Sequence, residues 1–486
     1  MIKQNIEINI ENSIIKSIMP TSNGIKIVID GLEKEYPNCF ALPSFTDSHC
    51  HVWGLGMKTL GLYLGDCLSA EDCVIKSLKS NFKRGNWLIG RGWNQELWDG
   101  KLPNKSILDK YYPDIPVCFI RVDGHSMWVN SKALEIANIN SQTKINGGEI
   151  VINDNNEPTG ILIDNAMNLI EEAIPQFTDE QIEAFVIKGL EEGKKSGIMK
   201  FHDMDVNSQS HRTLIKLDRE GKLKQKVYSF LSAQNEEYLD FEERKYKGKN
   251  YKVQGVKLYA DGALGSRGAA LHEKYNDQDT LGLELMSVEE MYRISKVASE
   301  GNYDIAIHAI GDKAVSNVIE VYKRLREDAY KNNLRIEHSQ LVRNKDIDLY
   351  KKYDIIASVQ PIHCVSDAEM ADKRLGVVRA KEIAYPWKKF IDKNIDLIAG
   401  SDFPIESENV IVGIKAFVNR IPFKSSIPWN AEEILSIDES LRAYIVSPEE
   451  VVGSDLSKIE IGNYAELLVI KGNPQDIETW ELVEVI

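Results

Sequence analysis

The sequence lacks the features that mark disulfide-bonded, secreted and membrane-spanning proteins. Its six cysteines are scattered without a CxxC pair, which predicts free thiols and a reducing compartment rather than a disulfide framework. No apolar run is long enough to cross a membrane. The stretch MIKQNIEINIENSIIK alternates apolar and polar residues and has no continuous apolar segment of the kind that signal peptides carry. We therefore expect a cytoplasmic location.

Basic residues are scarce relative to acidic ones. The chain has 59 lysines and arginines against 74 aspartates and glutamates, for a formal net charge of -15. Nucleic acids and anionic membranes attract basic surfaces, so neither is expected as a main partner. With 486 residues, 43% of them hydrophobic, the chain suits one large barrel with an accessory domain. A small-molecule substrate is the expected partner, and homo-oligomerisation stays open.

Internal repeats and low-complexity tracts are absent, but one unit recurs along the chain. A short run rich in Val, Ile, Phe or Tyr is followed by a polar turn and, in several units, by a helical pattern. Strands buried on both faces have this composition, and their alternation with helices predicts a parallel sheet. The units predict an α/β fold, a (β/α)8 TIM-like barrel covering 44–455. The eight runs are ALPSFTDSH, GIMKFHDM, KVYSFLSA, GVKLYADG, YDIAIHAIG, LRIEHSQ, IIASVQP and IDLIAGSD.

Two regions do not belong to these barrel units. Period-2 alternation in 1–43, and the similar strand character of 456–486, predict a small β-sandwich built from both termini. The stretch of about 84–176 carries two strand-like runs, NWLIGRGW and PVCFIRVDGH, and several tryptophans. We expect it to be a long insertion after the first barrel strand. Such insertions often form lids and substrate walls.

The nine histidines concentrate where the predicted strands end. His49 and His51 end the first run, and residues i and i+2 of a strand point to the same side, here the barrel axis. The fifth and sixth runs end at His308 and His338, and the eighth ends at Asp402. Barrel enzymes keep their active sites where such strand ends converge. Imidazoles with a carboxylate suit Zn2+, and Mn2+, Fe2+ or Co2+ accept the same ligands.

Each of these residues also has a purely structural interpretation. An isolated H-x-H pair is weak evidence for a metal, and a single buried histidine more often packs in a core. Lys257, inside the fourth run, could be a buried salt-bridge partner of Asp261. His202 and His363, beside the second and seventh runs, could contact substrate, orient a ligand or pack. We predict the metal site because the histidines and Asp402 occur together at strand ends.

Longer motifs resemble the amidohydrolase superfamily of metal-dependent hydrolases. Its signature is H-x-H on strand one, Lys on strand four, His on strands five and six, and Asp on strand eight. Segments similar to the branch that contains N-substituted formamide deformylase are GHSMWVNSKAL, KLYADGALGSRGAAL, AIHAIGDKAV, RIEHSQLV and AGSDFPI. The resemblance runs from about Leu42 to the C-terminal segment IEIGNYAELLVIKGNP. PSFTD stands where the family usually has P-G-F-I-D, a departure that removes no ligand.

The resemblance implies a binuclear metal centre. Matching position by position, it assigns as ligands His49, His51, Lys257, His308, His338 and Asp402. The H-x-H pair and Asp402 match the ligands of the more buried metal, and the other two histidines match those of the second. In such members the strand-four lysine is carboxylated and bridges the metals. The chemistry is reasonable, because burial beside two dications favours a neutral amine that can add CO2.

The expected reaction is hydrolysis of a non-peptide, amide-type C–N bond by a hydroxide that bridges two Zn2+ ions. Asp402 takes the proton from the attacking water and delivers it to the leaving nitrogen. Candidate substrate contacts are His125, Trp128 and Arg267, although the first two could be structural and Arg267 could brace its loop.

Two alternative functions stay open. A mononuclear member could deaminate a heterocycle, and one metal ion per chain would then be expected. A non-catalytic descendant could bind a ligand without turnover, although an intact ligand set argues against it. A metal-free sugar-phosphate barrel is not favoured, because SDFPIESENV does not resemble a Gly-rich phosphate loop.

Overall fold

Eight parallel strands form a barrel in the first of the two units into which the chain divides. The computed structural model describes residues 1–98, 100–122, 124–145, 147–454 and 456–486. The first unit comprises Met1–Gly54 and Gly189–Ile486, and the second comprises Leu55–Lys188. No helix within the described ranges is both long and apolar enough to span a membrane.

The barrel strands pair side by side in chain order, each parallel to the next. They are β1 (Phe45–Cys50), β2 (Ile198–Val206), β3 (Lys226–Ser232), β4 (Tyr251–Tyr259), β5 (Asp304–Ala309), β6 (Leu334–His338), β7 (Ile355–Val359) and β8 (Leu397–Ala399). Every residue of β1, β6, β7 and β8 is buried, as expected for strands covered on both faces. This architecture confirms the predicted α/β barrel.

The barrel closes between β8 and β1, just beyond the end of β8. The backbone N–H of Asp402 donates to the carbonyl of His49 at 2.7 Å, and that of His51 donates to Phe403 at 3.0 Å. The buried Asp47 carboxylate accepts hydrogen bonds from the Ser401 hydroxyl and backbone N–H. A Cβ on Gly400 would lie 2.3 Å from the backbone nitrogen of His49, so only glycine permits this approach.

Amphipathic helices cover the barrel. In Asp312–Glu327 the residues Val315, Val318 and Tyr322 recur every three or four positions and are buried. Helix Ile437–Ile445 begins with a capping box, in which Ser436 and Glu439 satisfy each other's backbone N–H groups. The helices of this unit are Ser208–Arg219, Val288–Glu300, Asp312–Glu327, Asn344–Lys352, Pro361–Leu375, Val377–Ile383, Trp387–Asp392, Val410–Asn419, Ile437–Ile445 and Ser447–Val452.

Two small sheets are present in addition to the barrel, and strands from both ends of the chain contribute to them. One sheet has the order Lys3–Gln4, Cys39–Pro43, Leu467–Lys471 and Glu481–Val485, and the other has the order Ile14–Pro20, Ile6–Glu11, Ile25–Ile29 and Leu32–Tyr36. Alternate residues such as Ile8 and Ile10 are buried, and they share a core with Ala41, Leu467 and Val469 of the first sheet. An extra sheet domain therefore accompanies the barrel.

The second unit is built on one mixed sheet. Its main strands run in the order Gly148–Ile152, Pro158–Asp164, Ser126–Val129, Val117–Arg121, Trp87–Trp93 and Leu62–Tyr63, with Lys83–Arg84 paired to Trp87–Trp93. Its short helices are Ala70–Ser77, Lys105–Tyr111, Ser131–Ile136 and Asn168–Glu171. The sequence predicted an insertion of about 84–176, whereas this unit begins at Leu55 and ends at Lys188. It is longer because residues such as Leu62, Leu64 and Val74 belong to its core. Helices Val52–Leu60 and Asp179–Lys195 carry the chain across the two boundaries.

Candidate metal centre

The six residues predicted to bind metal line one cavity of about 380 Å³ at the carboxyl ends of the barrel strands. They are His49, His51, Lys257, His308, His338 and Asp402. His49 lies near the end of β1, and His51 directly follows that strand. Lys257 lies in β4, His308 lies in β5 and His338 ends β6. Asp402 comes three residues after the end of β8. Residues far apart in the chain meet because parallel barrel strands end at one rim.

The ligand atoms of this group are close enough to share a metal ion. One ligand atom each from His49, His338 and Asp402 lie within 4.8 Å of one another. The Nε2 atom of His51 is 3.1 Å from Asp402 Oδ1, and that of His49 is 3.5 Å from the same oxygen. The ring of His308 lies 4.5 Å from the ring of His338, centroid to centroid.

Hydrogen bonds at Nδ1 set the tautomers that metal binding needs. The Nδ1 atoms of His49, His51 and His338 contact oxygen acceptors: Glu337 Oε2 at 2.5 Å, the Met204 carbonyl at 3.0 Å and Gln360 Oε1 at 2.7 Å. A ring that donates from Nδ1 keeps the lone pair on Nε2, the atom that ligates metals in such arrangements.

His308 fits the same ligand set. Its Nε2 atom is buried and makes no hydrogen bond within the described residues. The nearby Asp261 Oδ1 is 3.5 Å away, too far for a well-formed hydrogen bond, so this buried nitrogen keeps the capacity to bind a metal. Burial, together with the charge of Lys257, lowers the pKa of His308 to about 3, so the ring is neutral at physiological pH. The donor set of neutral imidazoles and one carboxylate therefore fits divalent zinc or a related metal.

Lys257 is almost fully buried at the centre of this group, with 1% of its surface exposed. Burial lowers the pKa of its amine, against the opposing charges of Glu337 and Asp402. Asp261, the alternative salt-bridge partner, instead accepts three backbone N–H bonds. The donors are Ala270 at 2.9 Å, Ile310 at 3.0 Å and Gly311 at 2.8 Å. The lysine thus faces the candidate ligands, and a lowered pKa favours the neutral amine that carboxylation requires.

A buried ion pair between Arg335 and Glu337 contacts strand β1, which carries His49. Arg335 donates to both carboxylate oxygens of Glu337, at 2.6 and 3.1 Å, and to the carbonyl of Ser48 at 2.7 Å. Burial raises the pKa of Glu337, but the charge of Arg335 and the hydrogen bond from His49 outweigh it and hold that pKa well below the usual range. The carboxylate is therefore an ionised acceptor for His49. The sequence reasoning missed Glu337, although its alternation with Arg335 on a fully buried strand was a visible signal.

The two uncertain histidines occupy different positions. His202 lies inside the barrel, where its Nδ1 accepts a hydrogen bond from Arg335 at 3.1 Å. His363 lines the cavity, and its Nε2 is 3.7 Å from Asp402 Oδ2. The amide nitrogen of Gln340 lies 3.3 Å from His363 Nδ1; with this amide as the donor, the proton of His363 is on Nε2. This tautomer is the opposite of the one that the candidate ligand histidines adopt, and it makes His363 a hydrogen-bond donor toward the cavity.

Each of the three candidate substrate contacts has neighbours within its own unit. In the second unit, Trp128 is fully buried and its ring packs edge-on to Phe119. His125, in the same unit, is exposed and lies 3.0 Å from an Asp164 oxygen. Arg267 donates two hydrogen bonds to Asp277, at 3.1 and 2.9 Å. Arg267 is not among the residues that line the cavity, although Leu264 and Gly265 of its loop are.

A parallel barrel with histidine, lysine and aspartate side chains gathered at its strand ends is typical of metal-dependent barrel hydrolases. Residues 38–486 match the family model described as "Amidohydrolase family", and the chain belongs to this family. The predicted superfamily is thereby confirmed.

Individual relatives agree with this family. The chain is 32% identical over 463 residues to YtcJ of Bacillus subtilis (strain 168), a protein named as an amidohydrolase, covering 90% of this chain and 85% of YtcJ. It is 24% identical over 470 residues to the N-substituted formamide deformylase of Arthrobacter pascens, covering 91% of this chain and 85% of that enzyme. An uncharacterized metal-dependent hydrolase from Pyrococcus horikoshii OT3 superposes with a TM-score of 0.79 at 27% identity, covering 98% of each chain.

Proposed function

We propose that the protein hydrolyses a non-peptide, amide-type C–N bond of a small molecule. The observation that carries this proposal is the set of histidines whose Nδ1 acceptors turn Nε2 lone pairs toward one cavity beside Asp402. Similarity to N-substituted formamide deformylase supports the choice of an amide-type bond. Six free, buried cysteines support a cytoplasmic location, and we leave homo-oligomerisation as a possibility for solution measurements.

Two metal ions, most simply Zn2+, are part of the proposal. His49, His51 and Asp402 would hold one, and His308 and His338 the other. Lys257, carboxylated on its neutral amine, would bridge them. When bound, such ions polarise a carbonyl and lower the pKa of water enough to supply hydroxide near neutral pH. The position of Lys257 in the cavity favours two ions over the mononuclear deaminase, because a single metal needs no bridging group.

Asp402 is the residue proposed to move the proton. Burial raises its pKa, but the adjacent His49, His51 and His338 outweigh burial and hold the pKa well below the usual range. The group is therefore a carboxylate before reaction, able to accept a proton from the attacking water and pass it to the leaving nitrogen. His363, with its Nε2–H directed into the cavity, would donate a hydrogen bond to the substrate.

Metal counting combined with a substrate panel tests the function. We expect two ions per chain in the purified protein, a carbamate carbon signal from Lys257, and hydrolysis of N-formyl or N-acetyl amines. One ion per chain with release of ammonia from an aminated heterocycle would establish the deaminase instead. A fully loaded protein that turns over neither class of compound would favour a non-catalytic binding protein.

Asp402→Asn tests the proton transfer. The variant should keep its fold and lose turnover by about 10²–10⁴-fold, the usual contribution of a positioned acid–base group. His272→Gln is the matched control, because His272 is exposed and does not line the cavity. Near-normal turnover by Asp402→Asn with its metal retained would refute the assigned role.

A further inference from the structure

One face of helix Pro361–Leu375 forms a wall of the cavity beyond the metal ligands. His363, Asp367 and Met370 line the cavity, at positions i, i+4 and i+7 of this helix. His363 lies beside Asp402, and Asp367 is one turn further along, roughly 6 Å along the helix axis. The cavity therefore has an inner end at Asp402 and an outer part beside Asp367.

The outer part of the cavity carries negative charge. Asp367 and Glu406 both line it. The Tyr385 hydroxyl donates to Asp367 Oδ2 at 3.1 Å, and the Ser366 hydroxyl donates to Glu406 Oε1 at 2.5 Å. A carboxylate has about four lone-pair positions, so these bonds leave acceptor capacity on both groups.

The lining of the cavity carries little positive charge. Among the described residues that line the cavity, Lys257 is the one lysine and arginine is absent. Arg267 and Arg374 both donate hydrogen bonds to Asp277. Arg374 also donates to the carbonyl of Gly265, which lines the cavity. A substrate carboxylate would thus meet two like charges at the outer end and no guanidinium.

One buried nitrogen of the cavity wall is left without a hydrogen bond to the described protein, because its nearby carboxylate, Asp402 Oδ2, is 3.7 Å away. His363 is only 8% exposed, lines the cavity, and its Nε2 makes no hydrogen bond within the described residues. Because Gln340 donates to its Nδ1, the Nε2–H needs an acceptor such as a carbonyl oxygen. The apolar side chains of Leu264, Ile310 and Ile405 line the same cavity.

We propose that Asp367 and Glu406 bind a positively charged nitrogen of the substrate, so that the substrate is an N-acyl amine with a second, basic nitrogen at the end of an apolar chain. This assignment rests on the proposed amide hydrolysis at the inner end. The His363 Nε2–H receives the acyl oxygen, and the apolar side chains contact the connecting chain. Two neighbouring acids in a partly desolvated cavity repel each other, and a bound cation relieves that repulsion.

The burial of the Asp367 carboxylate agrees with a substrate that brings a positive charge to the outer part of the cavity. Burial raises the pKa of Asp367 against the opposing effects of His363 and of the Tyr385 hydrogen bond, and the charge of Glu406 adds a smaller increase. An ammonium or guanidinium group between the two acids would favour their ionised forms. The acidic net charge of -15 also raises the local concentration of cationic substrates around the protein.

Three probes of equal length separate charge from size. N-acetyl-1,4-diaminobutane ends in an ammonium, N-pentylacetamide in a methyl group and 5-acetamidopentanoate in a carboxylate. Binding is measured by calorimetry on the chelator-treated full chain, and hydrolysis on the metal-loaded enzyme. We expect the ammonium probe to bind about tenfold or more tightly than the methyl probe, with the carboxylate probe weakest.

Two variants and a matched control assign the preference to these side chains. Asp367→Asn and Glu406→Gln should each reduce the ratio of ammonium to methyl binding by about tenfold. Glu408→Gln removes the same charge close by in the sequence from a residue that does not line the cavity, and should keep the ratio.

The outcomes distinguish this inference from the proposed function. Hydrolysis of all three probes with equal binding would overturn the cation site and leave amide hydrolysis standing. An ammonium preference that depends on Asp367 and Glu406, without hydrolysis of any amide, would support the cation site and overturn the hydrolase. Equal or carboxylate-favouring binding without hydrolysis would overturn both.

Discussion

At the residue scale, the site depends on groups that never touch the cavity. Glu337 accepts the Nδ1–H of His49 and is itself held by Arg335, so the ligand ring is oriented by a buried ion pair. Partners of this kind fix the tautomer and raise the basicity of the ligand nitrogen. The H-x-H motif alone does not reveal this dependence, because Glu337 lies 288 residues from His49 in the chain.

Glu337→Gln should weaken metal binding about 10–100-fold, the usual cost of losing such a partner of a ligand histidine. The variant also leaves the Arg335 charge without its carboxylate, which should lower the free energy of unfolding by about 3 kcal/mol or more. Metal affinity is measured by competition with a chromogenic chelator, and stability by urea unfolding.

Glu433→Gln separates the two effects of that substitution. Glu433 is 2% exposed and accepts backbone hydrogen bonds from Lys388 and Lys389, away from the cavity-lining residues. Its loss should destabilise the fold and leave metal affinity unchanged. Equal metal affinity in wild type and Glu337→Gln would show that Glu337 acts on folding alone.

At the scale of elements, the closure between β8 and β1 joins the fold to the site. The backbone bond from Asp402 to His49 links two candidate ligands directly, and Gly400 permits the approach of the two strands. Gly400→Ala would place its Cβ 2.3 Å from the His49 nitrogen and 2.7 Å from Asp47 Oδ1. We expect a loss of at least about 2 kcal/mol in the free energy of unfolding, together with reduced metal content.

Gly265→Ala is the control for that closure. Its Cβ would have an ordinary contact, 3.8 Å from the Met370 Cε, so the fold should tolerate it. Urea unfolding and metal analysis of both variants give the comparison. A Gly400→Ala protein as stable and as metal-rich as Gly265→Ala would contradict the role assigned to the closure.

The elements also show how far sequence reasoning reaches. Barrel strands are predictable because a strand buried on both faces needs a continuous apolar run. The gathering of the six candidate ligands in one cavity is predictable because they lie at or near the ends of such runs. The bounds of the second unit cannot be predicted in this way, because the packing of Leu62 and Val74 into its core depends on residues distant in the chain. The same limit applies to side-chain partners: the contacts of Trp128 with Phe119 and of Arg267 with Asp277 do not follow from the sequence.

At the scale of the whole molecule, buried histidines link stability to pH. Helix Ser208–Arg219 carries His211, which is fully buried. Its Nε2 donates to the Glu242 carbonyl at 2.9 Å, and its Nδ1 accepts from the Tyr251 hydroxyl at 2.6 Å. Both nitrogens are therefore satisfied in the neutral ring, and protonation would remove the acceptor that Tyr251 needs.

The sign of the resulting pH dependence follows from the direction of the shift. Burial lowers the pKa of His211 in the folded protein, against the opposing backbone hydrogen bonds of Glu242 and Glu243. In the unfolded chain its pKa is about 6.5. Below that pH the unfolded state binds a proton that the folded state refuses, so stability is present above about pH 6.5 and is lost as the pH falls toward the folded pKa.

Comparison of wild type with His211→Gln isolates this contribution, because the other titrating groups are common to both proteins and cancel. The variant should be less stable at pH 7.5, since it loses the paired ring. The difference should shrink as the pH is lowered to 5.5, by at most about 1.4 kcal/mol per pH unit. Urea unfolding of both proteins at several pH values measures it. A difference that stays constant or grows toward acid pH would show that His211 is protonated in the folded protein, and that the contacts of Tyr251 and Glu242 do not hold it neutral.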